Sequence, residues 1–146
     1  MKLVYKMRHT DPIDEVPDIE PVPFSAAYME KYKIMYNACY HEMREALDIK
    51  PYDYIQDDSF FETGMDHVYL LLDKDELIGS VAIKGDEIDD LIVVPKYQGR
   101  GYGRRLLIWA LARLNGAAVL HVAEWNKRAV SLYEKTGFEI IETIEI

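Results

Sequence analysis

The spacing of apolar and polar residues divides the chain into alternating strands and helices. Runs rich in β-branched and aromatic residues, bounded by turn-forming residues, predict strands at 1–8, 66–73, 77–84, 87–94, 117–123 and 138–146. Apolar residues three and four positions apart predict helices at 26–40, 99–114 and 126–136, and a shorter helical piece at 41–47. The predicted order of elements is therefore β-α-α-β-β-β-α-β-α-β.

The connections between these elements indicate how the strands pair. The three strands from 66 to 94 are separated only by short turns, so they are antiparallel neighbours. The helix at 99–114 is a crossover between two strands, which makes those strands parallel. Segment 10–23 contains four prolines and is predicted to be a loop. The sequence thus predicts one α/β domain over residues 1–146, with a mixed, mostly antiparallel sheet and helices on both faces.

Cysteine usage and the lack of long apolar runs restrict the type of protein. Cys39 is the only cysteine of the 146 residues, so no internal disulfide is expected. No group of Cys and His residues has the spacing of a zinc site, and we expect no metal. The first 24 residues have no apolar run typical of a signal peptide, and no segment resembles a membrane span. These features favour a cytoplasmic protein without a membrane partner.

The charge is acidic overall but unevenly distributed. The net charge is −9, and residues 1–98 hold 10 Lys and Arg against 21 Asp and Glu, whereas residues 99–146 hold 7 against 5. An acidic body argues against nucleic acid as a partner. Two explanations of the acidity stay open, namely solubility and attraction of a cationic substrate.

A glycine-rich loop lies between a predicted strand and a predicted helix. Gly99, Gly101 and Gly103 allow the backbone to turn sharply and to approach a ligand closely. The loop leads into a helix N-terminus, whose free N–H groups and dipole favour an anion. Arg100, Arg104 and Arg105 add positive charge, so the pattern indicates a diphosphate site.

These residues resemble a known signature. The run Gln98-Gly99-Arg100-Gly101-Tyr102-Gly103 resembles the acetyl-CoA-binding motif Gln/Arg-x-x-Gly-x-Gly/Ala of the GNAT superfamily of N-acetyltransferases. The residues Asn126, Ala129, Tyr133, Gly137 and Phe138 resemble the second signature of that family. The resemblance covers residues 66–146. A dinucleotide-binding fold is the main competing interpretation, because Glu124 follows Gly103 by 21 residues at a strand end, but the glycine spacing differs from the pattern of that fold.

The resemblance implies an acetyl-CoA-dependent transfer to a primary amine, by direct attack within a ternary complex. In the family, two parallel strands splay apart, the pantetheine arm of the coenzyme lies between them, and backbone N–H groups, here near Val93 and Val94, polarise the thioester carbonyl. Tyr133 matches the tyrosine that protonates the departing thiolate. Asn126 matches a residue that binds the pantetheine amide, although Asn is also a common helix cap. The implied coenzyme contacts are Leu91, Ile92, Val93, Val94, Gln98, Gly99, Arg100, Gly101, Tyr102, Gly103, Arg104, Asn126 and Tyr133.

The acceptor side of the reaction is less defined. A base must remove a proton from the amine, and the candidates are Glu87, Asp89, Asp90, His121 and Glu124. Glu87 is preferred, because some family members carry a base at the matching position. The segment from Tyr32 to Phe60 is rich in aromatic and acidic residues, which favours a cationic small-molecule or peptide amine as the substrate, but aromatic core packing would give the same pattern.

Two further alternatives stay open. A non-catalytic acyl-CoA-binding or sensing domain of the same fold would carry the same signatures. Many family members also have one more strand after the Gly-Phe strand, and this sequence ends at Ile146, too early for it. The site is then either more open on that side or covered by a partner chain, which leaves a homodimer as an expectation.

Overall fold

The computed structural model describes residues 2–146. Its strands are β1 (Leu3–His9), β2 (Val22–Pro23), β3 (Val68–Asp73), β4 (Glu76–Lys84), β5 (Glu87–Val93), β6 (Ala118–Ala123) and β7 (Glu139–Glu145). Its helices are α1 (Met29–Ala46), α2 (Tyr102–Arg113) and α3 (Lys127–Thr136). Within this part of the chain, no helix has the length and apolar character to cross a bilayer, and no group of three or more His, Cys, Asp or Glu residues is arranged to hold a metal ion.

All seven strands form one sheet in the order β2-β3-β4-β5-β6-β1-β7. Neighbouring strands are antiparallel except β5 and β6, which are parallel. These two strands share a single register pair, Glu87 opposite Val119, and then separate. The predicted mixed, mostly antiparallel sheet with a splayed parallel pair is therefore confirmed.

The N-terminal strand occupies an unexpected place in the sheet. β1 lies between β6 and β7 and pairs antiparallel with both. The chain itself therefore supplies a strand on the side that the sequence suggested would be open or covered by a partner. The short length of the sequence after Phe138 consequently gives no reason to expect a second chain there.

Helices cover both faces of the sheet, as predicted. α1 packs on one face, where its buried residues Tyr32 and Met35 join Leu70 and Ile92 of the strands. α2 and α3 pack on the other face, because β5-α2-β6 and β6-α3-β7 are successive crossovers in the same direction along the sheet. Leu106, Leu107 and Leu111 of α2 are fully buried there. The splayed strands thus lie between two helical layers.

The first helical region differs from the prediction of two pieces at 26–40 and 41–47. Ser25 caps only a 3₁₀ turn, Ala26–Tyr28, and α1 then continues unbroken to Ala46. The physical reason is that residues 29–46 contain neither Gly nor Pro, so nothing interrupts the helix before Pro51. One long helix therefore carries its aromatic residues past both the core and the splayed strands.

A proline-rich segment crosses the α2 face of the sheet. We call residues 10–21 the strap. It must cross the sheet because β1 lies next to β7, whereas β2 pairs with β3 at the opposite edge. At its start, the backbone of Asp11 packs against Gly116, and Ile13 and Ile19 pack against the core. The predicted loop is thus confirmed for these residues, but Val22 and Pro23 form an edge strand.

Candidate active site

A cavity of about 300 Å³ occupies the gap between β5 and β6. It extends from the α1 face to the α3 face of the sheet. Side chains that carry chemistry line it from four elements: Tyr36 and Tyr40 of α1, Asp89, Asp90 and Leu91 of β5, His121 of β6, and Asn126 and Tyr133 at the start and middle of the α3 segment. The gap therefore brings together Leu91 and three residues of the second signature, Asn126, Ala129 and Tyr133, whereas residues 98–104 of the first signature do not line it.

A bulge in β5 contributes to the gap. Between the pairs Ser80–Ile92 and Ala82–Asp89 the register shifts, so that β5 contains one residue more than β4. Asp90 lies in this bulge with φ of +45°, a conformation that Asp tolerates better than most residues. Because a bulge bends its strand, β5 turns away from β6 at this position.

The backbone of β5 offers the gap fewer free N–H groups than the sequence suggested. The N–H of Val94 donates to the carbonyl of Ile78 at 2.8 Å, so it is not available to polarise a thioester. Ile92 is paired with Ser80 of β4. Peptide groups alternate in direction along a strand, so the N–H of Val93 faces away from β4 and towards the gap. Of the two amides proposed for this role, the structure leaves that of Val93.

The carbonyl of Val93 is already occupied. The Cys39 thiol donates to it at 3.1 Å, and Nε2 of Gln98 donates to it at 3.0 Å. Gln98 therefore ties the end of β5 to the glycine loop, which is a positioning role within the predicted motif. Burial raises the pKa of the Cys39 thiol to about 11, so the thiol keeps its proton at neutral pH.

The glycine loop ends in an uncapped helix. Gly99 and Gly101 have φ of +79° and +85°, which explains why α2 begins at Tyr102 and not at Gly99 as predicted. Gly101 occupies the N-cap position and has no side chain to bind the first N–H groups. The first intrahelical bond here runs from the Arg105 N–H to the Gly101 carbonyl, so the N–H groups of residues 102–104 point out of the helix end.

The strap binds two of the arginines near this loop. The two terminal guanidinium nitrogens of Arg104, Nη1 and Nη2, donate to the Glu15 carboxylate at 3.0 and 2.6 Å. Arg105 makes a similar double contact with Asp18, at 3.0 and 3.1 Å. These bonds hold the pKa values of both carboxyl groups below their ordinary range. The charge of Arg104, a predicted coenzyme contact, is therefore already balanced.

Two other arginines lie near the loop without a carboxylate partner among residues 2–146. Arg100 stacks over the Tyr97 ring at 5.5 Å. Arg128, in the first turn of α3, places Nη2 3.7 Å from the position that a β-carbon on Gly99 would take. Sequence inspection did not single out Arg128. It could have been found from topology, since parallel β5 and β6 bring the first turns of α2 and α3 to the same edge of the sheet.

Tyr133, the residue that the resemblance assigns as the acid, lies against the cavity. The residue is 9% exposed. α3 is capped by the side-chain oxygen Oδ1 of Asn126, which accepts the N–H of Ala129 at 3.2 Å. Burial, with a smaller effect of the Asp89 charge, raises the pKa of Tyr133 to about 12. Its hydroxyl has no hydrogen-bond partner in the described part of the chain. The group is thus a protonated donor without an internal acceptor.

Asp90 is a half-buried carboxylate that lines the cavity. Its Oδ1 accepts a hydrogen bond from the Tyr40 hydroxyl at 2.9 Å. Burial, together with the adjacent Asp89, raises the pKa of Asp90 to about 6, although the bond from Tyr40 acts in the opposite direction. Asp89 in turn accepts the backbone N–H of Asp90 at 2.8 Å.

The other candidate bases lie in less suitable places. Glu87 is at the narrow end of the gap opposite Val119, is not part of the cavity wall, and contacts Nδ1 of His121 at 3.9 Å. Glu124 accepts the Tyr5 hydroxyl at 3.0 Å and does not line the cavity either. The preference for Glu87 as the base is therefore not supported by its position.

The aromatic residues of the α1 region divide between two roles. Tyr32 is 1% exposed and belongs to the core, as the packing interpretation expected. Tyr36 and Tyr40, one and two turns later, line the cavity with ring centroids 4.7 Å apart. Tyr54 stacks beside Tyr36 at 6.1 Å. The helix thus carries core residues at its start and cavity residues further along.

Comparison with known proteins agrees with this arrangement. The sequence profile of the Acetyltransferase (GNAT) family matches residues 30–138. The peptidyl-lysine N-acetyltransferase YjaB of Salmonella typhimurium is 34% identical over 74 residues, which is 51% of this chain and 50% of that protein. YjaB of Escherichia coli is 31% identical over 74 residues, with the same two shares. The chain spans about half the length of the curated relatives it matches.

Solved structures share the fold at low sequence identity. A GNAT-family acetyltransferase from Colwellia psychrerythraea has a TM-score of 0.74 at 10% identity, over 97% of this chain and 53% of that one. The solution structure of apo-form YjaB from Escherichia coli has a TM-score of 0.63 at 20% identity, over 82% of this chain and 81% of that one. Together with the profile match, the fold and the two signatures lead to one assignment. The chain belongs to the Acetyltransferase (GNAT) family.

Proposed function

We propose that residues 1–146 act as one N-acetyltransferase domain, which transfers an acetyl group from acetyl-CoA directly to a primary amine. The observation that carries the proposal is the position of Tyr133. A buried, protonated hydroxyl without an internal acceptor lines the gap between the splayed strands, beside an uncapped helix end. A sensing domain would need the binding loop but has no use for this donor.

The residues present fit the coenzyme. The N–H groups of residues 102–104 would hold the diphosphate, because each is an orphan donor at a helix N-terminus. The gap beside Leu91 would receive the pantetheine arm, since β6 leaves this part of β5 unpaired. The N–H of Val93 would polarise the thioester carbonyl, and Asn126, which lines the cavity at the start of α3, would bind the arm.

Direct transfer is favoured over a cysteine-linked intermediate. Cys39 is the only thiol in the chain and lies at the end of β5, where it contacts the Val93 carbonyl. Its raised pKa keeps the thiol protonated, and a thiol is a much weaker nucleophile than a thiolate. The amine therefore attacks the thioester itself, and Tyr133 donates a proton to the sulfur as the C–S bond breaks.

The acceptor is proposed to be a lysine side chain or a similar cationic amine. The YjaB relatives are named peptidyl-lysine N-acetyltransferases. In this chain Asp89, Asp90 and the rings of Tyr36 and Tyr40 line the α1 side of the cavity. Carboxylates and aromatic faces both attract an ammonium group. The acidic character of the chain would then serve substrate attraction as well as solubility.

The arginines around the loop should differ in their effect on coenzyme affinity. We expect Arg128→Gln or Arg100→Gln to weaken coenzyme A binding about tenfold, the usual loss for one charge-assisted hydrogen bond. Arg104→Gln is the matched control, and it should change the affinity less than about twofold because Glu15 already balances its charge. Isothermal titration at fixed ionic strength measures all three. The reverse ranking would show that the strap does not remove Arg104 from the phosphate site.

An amine panel tests the proposed function itself. Release of free thiol from acetyl-CoA is measured with lysine-containing peptides, free amino acids and polyamines as acceptors. We expect turnover with at least one cationic primary amine. Tight binding of acetyl-CoA without thiol release for any acceptor would instead support the sensing domain, and thermal stabilisation by NAD but not by coenzyme A would support the dinucleotide-binding alternative.

A further inference from the structure

We propose that Asp90 is the general base of the transfer and that Tyr40 is the residue that positions it. This inference rests on the proposed function, since it assigns a role within the same cavity. It replaces Glu87, which matches a family position but does not reach the cavity wall. The two carboxylates lie on one strand, Glu87 at the narrow end of the gap and Asp90 in the bulge.

The first support is the conformation of Asp90. A strand without the bulge would alternate its side chains, so that successive acids point to opposite faces. The bulge and the positive φ of Asp90 break this alternation. Both Asp89 and Asp90 consequently line the cavity. Unusual backbone conformations of this kind persist where the surrounding structure fixes them, and they are concentrated at functional sites.

The second support is the hydrogen bond from Tyr40. It fixes Oδ1 of Asp90 at 2.9 Å from the phenol oxygen, and a hydrogen bond from Tyr36 also acts on this carboxyl group, lowering its pKa. Tyr36 lies beside this pair, with its ring 4.7 Å from that of Tyr40. Asp89 is occupied differently, because its Oδ1 accepts the N–H of Asp90. Asp90 is thus held in the cavity by side chains of α1, whereas Asp89 is held by the backbone of its own strand.

The third support is the arrangement of acid and base across the gap. Asp90 is held from the α1 side, whereas Tyr133 projects from α3 on the opposite face of the sheet. An acceptor that enters beside Tyr36 and Tyr40 meets Asp90 first, and the thiol leaves on the side of Tyr133. The base and the acid therefore do not compete for the same atom.

The protons balance in this scheme. A bound ammonium loses one proton to the Asp90 carboxylate, and its nitrogen then attacks the thioester carbon. As the C–S bond breaks, the sulfur takes the proton of Tyr133, and the second proton lost by the nitrogen restores the phenol. Asp90 finally releases its proton to solvent. The products are the amide, the free thiol of the coenzyme and one proton.

The charged and titratable groups around Asp90 fix the expected pH dependence. Burial raises the pKa of Asp90 most, and the charge of Asp89 on the same strand raises it further. Tyr40 and Tyr36 of α1 and Lys84 of β4 lower this pKa. Arg44 of α1, His121 of β6 and Tyr133 of α3 also line the cavity. With a pKa of about 6, Asp90 would be ionised at neutral pH yet basic enough to accept a proton.

The test is the pH profile of kcat with a saturating lysine peptide. For the wild-type protein we expect an acidic limb in this profile, in which kcat decreases as the pH falls below about 6. Asp90→Asn keeps the shape of the side chain, and Asn tolerates positive φ, so this variant should fold. We expect it to lose about 100-fold in kcat and to lose the limb. Asp73→Asn, at the exposed end of β3, is the matched control and should behave as wild type.

Tyr40→Phe gives the readout for positioning. Without the hydrogen bond from Tyr40 the carboxylate is less stabilised, so the limb should move to higher pH by about one unit. The folded pKa of Asp90 is raised above its unfolded value, so its ionisation costs stability as the pH rises from about 4 to about 6. Asp90→Asn should therefore have a higher Tm than wild type at pH 8 but not at pH 4.

Three results would overturn the inference. The first is a limb near pH 6 that persists in Asp90→Asn, and the second is a loss of kcat below about threefold in that variant. The third is a limb that disappears in His121→Gln instead. Absence of transfer by the wild-type protein with every amine would contradict the proposed function and not this assignment, so the two failures are distinguishable.

Discussion

Tyr133→Phe should reduce kcat about 100-fold, the usual contribution of a positioned acid, and leave the affinity for coenzyme A within about twofold. The substitution removes one hydroxyl from a buried ring and preserves the contacts of that ring with Phe138, at 5.8 Å between centroids. Because the hydroxyl has no internal partner among residues 2–146, its loss should not destabilise the fold. Steady-state kinetics at saturating acetyl-CoA and titration with coenzyme A measure the two quantities.

A second tyrosine provides the control for this variant. Tyr69→Phe also removes one phenol oxygen, but at β3, where that oxygen accepts a bond from Arg113 at 3.3 Å far from the gap. It should keep wild-type turnover. If Tyr133→Phe did the same, the thiolate would have to obtain its proton elsewhere, and the acid role of Tyr133 would be lost.

Gly116→Ala should reduce the free energy of unfolding by about 4 kcal/mol. Gly116 has φ of +82°, which costs about 1–2 kcal/mol for a residue with a β-carbon. The new β-carbon would also lie 2.0 Å from the carbonyl oxygen of Asp11, at the start of the strap. Relief of such a backbone overlap requires movement of the strap, and overpacking of this kind typically costs a further 1–3 kcal/mol. Urea unfolding gives the difference.

Gly64→Ala is the matched control for the strap contact. Gly64 has nearly the same φ, +81°, but a β-carbon there would have no neighbour within 4 Å. Only the conformational cost should remain, about 1–2 kcal/mol. Equal losses for the two variants would indicate that the strap does not rest on Gly116. A selective loss would show that the strap is part of the folded core and not a loose connection.

Sequence reasoning located most elements because their signals are local. Gly and Pro residues, together with the alternation of apolar and polar residues, mark the boundaries of β3, β4 and β5. The predicted start of α2 was wrong only because Gly99 and Gly101 have positive φ. The position of β1 was not predictable in the same way. Nothing within Leu3–His9 specifies that it pairs with β6 and β7, since both partners lie more than 100 residues away. The same long-range choice determines the path of the strap.

The site was predictable to the extent that it follows from strand and helix ends. The glycine loop, Asn126 and Tyr133 occupy element termini or helix faces that the two signatures define. The sequence offered Asp90 only as one of five candidate bases and Arg104 only as a coenzyme contact, because neither the one-residue bulge nor the ion pair with Glu15 can be inferred from periodicity. Periodicity assigns the carboxylates of β5 to alternate faces, and a single inserted residue is enough to change that assignment.

The central claim is that the helix end after Gly101 binds the diphosphate while the unpaired part of β5 receives the pantetheine arm. A titration of isotopically labelled protein with coenzyme A, followed through backbone amide resonances, tests it most directly. We expect saturable shifts of the amides of Tyr102, Gly103, Arg104 and Val93, and little change at β3. Binding that leaves these four amides unchanged, or no binding at millimolar coenzyme A, would contradict the account.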